Sequence, residues 1–328
     1  VKIHAFFTIF FYIFKGLYLN YFVKILPGDH TYIISKFKAG SMPGITTHYS
    51  TNGIYLGLGF IFFAATVITD KKIRRSNKLR KDIFDMFFVL FALFLTTKRA
   101  HILFGIIAII VVYYVYNSDK KLSRTFYITI GVIAGILLLV FSAQFLPVAA
   151  NVVNRFLNGD SNGELTNGRV WFWKFALGRF AESPIFGIGW GGFKHRYFAV
   201  IGPYASTSKY VDCHNVFIQL LCEQGIIGLT LFILASFGTL FTTWKYLANA
   251  RTKKISIDRN EQSFLALSLG IQVFFICYCT TGNCLYDCEC FYTYIISCAL
   301  AYSTIYKCKK ERKINGKDSW NSDISPCN

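Results

Sequence analysis

The stretch TNGRVWFWKFALGRFAESPIFGIGWGGF (Thr166–Phe193) decides the fold class, because it is polar and lies between two strongly apolar regions of the chain. It contains arginines, tryptophans, a proline and several glycines, and it is too polar to cross a membrane. Such a segment is typical of a loop that a membrane protein exposes on one face. Its arginines raise the question of what they bind.

The composition around this stretch is that of a membrane protein. The 328 residues are 54% hydrophobic and 16% charged, whereas a soluble protein of this size carries about 25% charged residues. The apolar residues form long blocks, and a membrane span needs roughly 20 mostly apolar residues. Backbone polar groups in a bilayer must be paired internally, so these blocks are helices. We therefore predict an all-α, polytopic integral membrane protein.

The net charge of +18 comes largely from basic runs that each lie just beyond an apolar block. Positive residues in such loops mark the cytoplasmic side of the membrane. We therefore interpret the charge as a topology signal and exclude nucleic acid as a partner. The runs are Asp70–Asp82, Asp119–Arg124, Lys245–Arg259 and Lys307–Lys317.

Eight membrane spans are predicted from the apolar blocks, and Lys15 and Lys24 interrupt the first of them. Because the chain begins with Val inside an aromatic block, we expect an N-terminal truncation and treat eight as a minimum. The spans are 3–26, 52–69, 83–97, 101–117, 125–146, 216–244, 263–281 and 286–306.

This topology divides the chain into four regions. They are N-terminal transmembrane helices (1–146), a large periplasmic or extracellular loop (147–215), C-terminal transmembrane helices (216–306) and a cytoplasmic tail (307–328), which its polarity predicts to be disordered.

The large outer loop carries seven Lys and Arg residues against four acidic residues. Long loops in compact proteins are usually functional or disordered, and the aromatic content here argues against disorder. A loop rich in arginine and aromatic residues at the membrane surface predicts an anionic ligand.

The first candidate ligand residue in this loop is Arg169. Thr166 or Asn167 can cap a helix that ends before Pro184, and this places Arg169 in the first turn. Unpaired N–H groups and the positive end of the helix dipole attract anions there, and a guanidinium can grip two phosphate oxygens at once. The alternative is that Arg169 extends to lipid headgroups.

The same helix presents one apolar stripe, which is typical of a helix at the membrane interface with its Trp rings at headgroup depth. The stripe consists of Val170, Trp173, Ala176, Leu177 and Phe180. The glycine-rich segment after it lacks the spacing of a nucleotide-binding loop, so we predict a tight turn that returns the chain to the membrane.

Two further residues are candidates. Arg99 lies where two spans meet almost without a loop, and an arginine within a membrane usually marks a functional site. It could instead reach the headgroups, as we expect for Lys98.

Asp212 can cap the span that follows the large outer loop, which places His214 in the first turn of that span. The positive helix end disfavours imidazolium, so we expect a neutral His214 that can accept a proton, or one with only a structural hydrogen bond.

The cysteines near the last outer turn lack the Cys-x-x-Cys pairs of zinc sites. Packing is the favoured interpretation, with a disulfide from Cys284 to Cys288 or Cys290 as the alternative.

In their order along the chain, TKRA, GRVWFWKFAL, SPIFGIGWGGF and HNVFIQLLCEQGIIGL resemble the O-antigen ligase and O-antigen polymerase family. The resemblance covers residues 85 to 230, and the His-Asn…Gln…Glu-x-Gly-x-x-Gly stretch is its most specific part.

The resemblance implies a GT-C-like glycosyltransferase of the bacterial inner or plasma membrane. Such an enzyme works at the outer leaflet on glycans carried by undecaprenyl pyrophosphate, without metal, nucleotide sugar or other cofactor, in making O-antigen, lipopolysaccharide or capsule. The implied partners are that lipid-linked oligosaccharide, a glycan or lipid-core acceptor, membrane lipids and a chain-length regulator protein. By motif, Arg99, Arg169 and Arg155 would bind the pyrophosphate, and His214 would deprotonate the acceptor hydroxyl for inverting attack.

Several functions stay open at this point. A polymerase and a ligase of surface polysaccharide are not separated by the sequence. A flippase or transporter of lipid-linked sugars predicts charges deep within several spans, whereas here the spans are nearly free of charge. A non-catalytic assembly partner predicts that Arg99, Arg169 and His214 are each replaceable.

Overall fold

The structure is a computed structural model that describes residues 1–69, 77–117, 169–201, 211–252, 255 and 257–314. Within these ranges every regular element is a helix, which confirms the predicted helical membrane protein. The elements in chain order are α1 (Lys2–Ile13), α2 (Lys15–Asn20), a 3₁₀ helix (Phe22–Ile25), α3 (His30–Lys38), α4 (Tyr49–Thr69), α5 (Asn77–Leu95), α6 (Arg99–Tyr116), α7 (Arg169–Phe180), α8 (Gly192–Ile201), α9 (Val216–Arg251), α10 (Arg259–Cys279) and α11 (Cys288–Ile314).

The chain divides into two compact units. Unit 1 comprises Val1–Tyr116, Asn215–Phe217 and Leu229–Asn328, and unit 2 comprises Asn117–His214 and Ile218–Gly228.

Four of the described helices, α4, α6, α9 and α10, are long and apolar enough to cross a membrane. They coincide with the predicted spans 52–69, 101–117, 216–244 and 263–281. The predicted spans 83–97 and 286–306 form α5 and α11, which are helical but less apolar. The predicted span 125–146 lies outside the described residues.

The predicted first span, 3–26, is not one straight helix. It breaks at Phe14, whose backbone is not helical (φ −101°, ψ 60°), and the two halves meet at an angle of 100°. Together they could still form a fifth, broken span. The bend lets α2 and α3 fold back onto α1. As a result the Tyr18 ring packs against Phe11 at 5.0 Å and stacks on Phe37 at 4.3 Å.

Unit 1 is organised around α4, which packs against α5, α6 and α10, while α11 packs against α10. Apolar side chains of α4 are almost wholly buried there, among them Ile54, Leu56 and Ile61. The one buried amide of this helix, Asn52, donates to Thr8 Oγ1 at 2.8 Å and to the Met42 carbonyl at 3.2 Å. It thereby ties α4 to α1 and to the loop before α4.

Within unit 1, Arg251 fastens the end of α9 to α6 and α10. Its Nε donates to the Tyr116 carbonyl at the last turn of α6 (2.7 Å), and its Nη1 donates to Gln262 Oε1 in α10 (3.0 Å). A cation at a helix C-terminus offsets the unpaired carbonyls there.

The last helix corrects the prediction of a wholly disordered tail, because α11 continues to Ile314. Residues 315–328 lie outside the described part. At the turn before α11, Cys279, Cys284 and Cys290 are buried and Cys288 is exposed, and all four are free thiols. The alternative of a Cys284 disulfide is therefore not met in the structure, and the three buried thiols pack in the interior.

Unit 2 has its own small core. Ala176 of α7, Phe193 of α8 and Cys213 and Cys222 are each wholly buried. The rings of Phe172, Trp173, Phe175 and Tyr197 pack around them. Of the predicted apolar stripe of α7, Trp173 and Ala176 belong to this core, whereas Leu177 is 46% exposed.

Candidate functional site

Helix α7 spans Arg169–Phe180, and the predicted capping residues Thr166 and Asn167 lie outside the described residues. The Arg169 side chain is half-buried. Within the described part of the chain no ion pair or hydrogen bond engages its guanidinium. Arg179 and Arg196 differ in this respect, because both pair with Glu182, at 2.5 and 2.6 Å.

The first turns of α7 lie against the segment that carries His214. The indole N–H of Trp173 donates to the Cys213 carbonyl at 3.1 Å, and the ring of Phe172 lies 6.1 Å from the His214 ring. Arg169 precedes these two residues by three and four positions, so it shares their face of the helix. The structure therefore places Arg169 and His214 on the same side of unit 2.

His214 lies just before α9 rather than in its first turn, because that helix begins at Val216. This corrects the prediction that Asp212 caps the helix. The Asp212 carboxylate instead forms an ion pair with Lys194 of α8, at 2.8 Å. His214 itself has a positive φ of 55°, a backbone conformation that costs energy in a residue with a Cβ and often occurs at functional sites.

A buried amide supports this unusual backbone. Gln219, one turn into α9, is only 1% exposed. Its Oε1 accepts a hydrogen bond from the Cys213 N–H at 3.0 Å, directly before His214. Its Nε2 donates to Asp212 Oδ1 at 3.3 Å. The Gln219 side chain therefore binds both residues that precede His214, Asp212 and Cys213.

The same amide reaches a buried carboxylate. Gln219 Nε2 also donates to Glu223 Oε1 at 3.1 Å, and the backbone N–H of Phe193 donates to the same oxygen at 3.3 Å. Glu223 is wholly buried, and a buried carboxylate needs such donors to offset its lost hydration. Glu223 thereby connects α9 to the start of α8.

Gln219 and Glu223 were not among the predicted site residues. Their signal was present, since two polar residues four positions apart interrupt the apolar run FIQLLCEQG. Such a pair lies on one helix face, but only the fold identifies which backbone groups it contacts.

The long helix α9 is interrupted at Gly225, whose φ of 64° is not helical. The break leaves backbone groups of α9 without helical hydrogen-bond partners. The segment Pro184–Gly191, which we call the glycine loop, supplies those partners. Ile188 and Gly189 donate to the carbonyls of Cys222 and Glu223, at 3.0 and 2.9 Å, and the N–H groups of Ile226 and Ile227 donate to those of Pro184 and Ile185, at 2.9 and 3.4 Å. The predicted tight turn is therefore a segment paired to a broken helix.

This close approach requires glycine on both sides. A Cβ at Gly225 would lie 2.2 Å from the Ile185 carbonyl oxygen, and a Cβ at Gly187 would lie 2.3 Å from the Glu223 carbonyl carbon. Both glycines also have positive φ, where a side chain adds strain.

The aromatic core behind the site stays uncharged. The Tyr197 ring packs edge-on against Phe172 and Phe175, both at 5.2 Å, and stacks on Phe193 at 5.7 Å. Burial raises the pKa of the Tyr197 phenol above its usual value, so it remains a neutral hydroxyl at physiological pH.

Arg99 is the first residue of α6 and belongs to unit 1. Its side chain is exposed. The preceding Thr97 has a positive φ of 58°, which makes the sharp turn between α5 and α6. Lys98 lies over the Tyr49 ring, with its Nζ 4.3 Å from the centroid, and its extension to headgroups stays a prediction. Arg155 lies outside the described residues.

Comparison with known proteins follows this geometry. Residues 85–233 match the family model described as O-Antigen ligase. The chain carries an O-antigen ligase domain. A search of curated proteins finds no match.

The O-antigen ligase domain includes Arg99, Arg169 and His214, together with the network around Gln219 and Glu223. The predicted resemblance over residues 85 to 230 is thereby confirmed. The family indicates a membrane enzyme that transfers glycans, with a lipid-linked glycan as substrate and a polysaccharide acceptor.

Proposed function

We propose that this O-antigen ligase domain is a metal-independent, inverting glycosyltransferase. Its donor is a glycan on undecaprenyl pyrophosphate at the outer leaflet of the bacterial inner or plasma membrane. It extends or transfers an O-antigen or capsule-type polysaccharide, as a polymerase or a ligase. The observation that carries the proposal is that Arg169, whose guanidinium no other described residue binds, and His214, whose backbone has a positive φ, lie on one side of unit 2.

In this proposal Arg169 binds the pyrophosphate of the donor. The helix N-terminus adds its partial positive charge to that of the guanidinium. As the bond between the anomeric carbon and the phosphate oxygen breaks, negative charge grows on the leaving pyrophosphate, and a preorganised cation there lowers the barrier. The family resemblance assigns the same role to Arg99 and Arg155.

His214 is the proposed general base. It takes the proton of the acceptor hydroxyl while that oxygen bonds to the anomeric carbon from the face opposite the leaving group. The products are the lengthened or transferred glycan, with its anomeric configuration inverted, and undecaprenyl pyrophosphate. Positioning acceptor and donor together supplies a further large part of the rate enhancement.

The test uses membranes from a host that lacks its own enzyme, supplied with undecaprenyl-pyrophosphate oligosaccharide. Products are separated by size. Because a general base contributes roughly 10²–10⁴-fold, His214→Ala should reduce the rate by about that factor. We expect Arg169→Ala to reduce it by roughly 10²-fold or more, from the loss of charge stabilisation.

Matched controls lie in the same unit. His195→Ala removes an exposed histidine of α8, and Lys174→Ala removes an exposed cation of α7; both should keep nearly full activity. A ladder of lengthened lipid-linked glycan indicates a polymerase, and transfer to a second acceptor indicates a ligase. Full activity in both His214→Ala and Arg169→Ala would contradict the site. An inactive but well-folded wild type would favour a transporter or an assembly partner.

A further inference from the structure

The glycine loop presents an apolar surface that is not part of the proposed Arg169 and His214 site. Three of its side chains are large, apolar and exposed: Ile185 (54%), Phe186 (73%) and Trp190 (61%). Exposed apolar patches of this kind mark contacts with another protein or with a membrane.

The backbone behind these side chains is bonded within the protein. In the loop, Gly187, Ile188 and Gly189 donate hydrogen bonds, while Pro184, Ile185 and Gly189 accept them. Non-helical backbone enters a bilayer only where its polar groups are satisfied internally. The pairing of the loop with the break in α9 fulfils much of that condition.

The carboxylates next to the loop are paired or buried. The loop itself contains no ionisable residue. Glu182 before it is paired with both Arg179 and Arg196, and the Glu223 carboxylate beneath it is wholly buried. The outward surface is therefore apolar, with a tryptophan of the kind that membrane interfaces favour.

The surface continues into a helix that is long and apolar enough to span a membrane. Ile226 and Ile227 of α9, which are 49% and 43% exposed, are hydrogen-bonded through their backbones to Pro184 and Ile185. Both belong to the candidate span Val216–Arg251. This continuity identifies the occupant of the surface as lipid rather than a protein partner.

We propose that the glycine loop is a membrane-inserted element, whose side chains Ile185, Phe186 and Trp190 enter the acyl-chain region of the bilayer beside Ile226 and Ile227. The paired backbone keeps the loop rigid as it enters the lipid. This role concerns membrane contact alone and does not depend on the proposed chemistry.

The test measures the depth of Trp190. The full chain, with its other four tryptophans changed to Phe, is reconstituted in vesicles of phosphatidylcholine and phosphatidylglycerol whose acyl chains carry bromine. Bromine quenches only fluorophores at acyl-chain depth, so we expect the emission of Trp190 to fall about twofold relative to unbrominated vesicles. The matched control keeps only Trp173, whose indole is bonded to Cys213 inside unit 2; its emission should hardly change.

Two further measurements guard against a misfolded variant. In the otherwise unchanged protein, Trp190→Phe should remove the part of the lipid quenching that Trp190 contributes, while that of Trp244 in α9 remains. Phe186→Asp, made in the protein that keeps only Trp190, should reduce the quenching of Trp190, because a carboxylate resists insertion. Quenching of Trp190 by aqueous iodide but not by brominated lipid would overturn the proposal. So would an emission that depends on the protein-to-lipid ratio and not on bromine, since that result indicates contact between copies of the chain.

Discussion

At the scale of single residues, the catalytic proposal depends on how His214 is held, and Gln219 is the side chain that holds it. Its amide accepts from the N–H of Cys213 and donates to Asp212 and Glu223. The amide group is suited to this position because it offers a donor and an acceptor without charge. Either a carboxylate or an apolar side chain would leave one of these partners unsatisfied.

The first prediction concerns Gln219→Leu, which keeps the size and removes the hydrogen bonds. A buried N–H and a buried carboxylate then lose a partner, at a cost of about 1–3 kcal/mol each, so thermal stability in detergent should fall. We expect glycan transfer to fall at least about tenfold, mainly in kcat, because His214 is misplaced rather than removed. Gln224→Leu, at the next half-buried glutamine, is the control and should change neither quantity much.

The companion variant Gln219→Glu adds a third carboxylate beside Asp212 and Glu223. Like charges raise the pKa of a carboxyl. One carboxyl of the folded variant should therefore stay protonated at pH values above about 4.3, where the unfolded chain has released that proton. Its stability relative to wild type should therefore decrease as pH rises above that value. An equal melting temperature for the two proteins from pH 5 to pH 8 would refute the proposed contacts of Gln219.

A second residue-scale prediction concerns His48, in the loop before α4. Burial, aided by the charges of Lys98 and Lys36, lowers the pKa of His48 to about 4. Its Nδ1 accepts from the Ser50 N–H (3.1 Å), and its Nε2 lies 3.0 Å from the Tyr32 hydroxyl. A neutral ring is what these contacts require.

Because the folded state resists protonation of His48, the unfolded chain binds more protons between the unperturbed pKa, about 6.5, and about 4. Stability should therefore decrease as pH falls through this window and level off below it. His48→Gln should flatten that part of the profile, which thermal unfolding in detergent at a series of pH values would measure. His30→Gln, at an exposed histidine, serves as the control and should leave the slope unchanged.

At the scale of elements, the break in α9 is the decisive feature of unit 2. It converts one long apolar helix into a short segment beneath the site and a longer segment beyond Gly225. The glycine loop then completes the hydrogen bonds that the break leaves open. Helix α7 packs through Trp173 and Ala176 and forms the other wall of the proposed site, with Arg169 at its start.

The element-scale prediction is that Gly225→Ala and Gly187→Ala each detach the glycine loop from α9. A left-handed backbone costs a non-glycine residue about 1–2 kcal/mol, and the overlap of each new Cβ with backbone atoms adds to this cost. Both variants should lose several degrees of thermal stability and most of their activity. Gly178→Ala is the control, because its Cβ would meet open space within α7, and it should be neutral or stabilising by up to about 1 kcal/mol.

At the scale of the whole molecule, the O-antigen ligase domain is embedded in a longer helical membrane protein. The distribution of Lys and Arg predicts that the basic run after α4 and the C-terminal tail are cytoplasmic, and that the loop 147–215 lies outside the cytoplasm. This orientation would place the Arg169 and His214 site on the outer face, where the proposed donor lies.

The corresponding prediction is a reporter pattern. Fluorescent protein fused after Ile73 or Gly316 should fluoresce, because it folds in the cytoplasm, and alkaline phosphatase fused there should be inactive. Phosphatase fused after Asn158 should be active. The reverse pattern at any of the three positions would require a different topology, and would remove the proposed site from the outer face.

The sequence by itself determined the class of the protein, because membrane insertion depends on local quantities: the length of apolar blocks and the position of positive charges. It also determined that the segment after Arg169 is helical, since that pattern is local, and the resemblance of residues 85–233 to the O-antigen ligase family, since its motifs are short. Only the tertiary structure decided the bend at Phe14, the place of His214 before α9 and the contacts of Gln219 and Glu223. Each of these depends on partners distant in the chain, such as Phe37 for Tyr18 and Phe193 for Glu223. Asp212 likewise does not cap α9, which begins at Val216, and its carboxylate pairs with Lys194 of α8 instead.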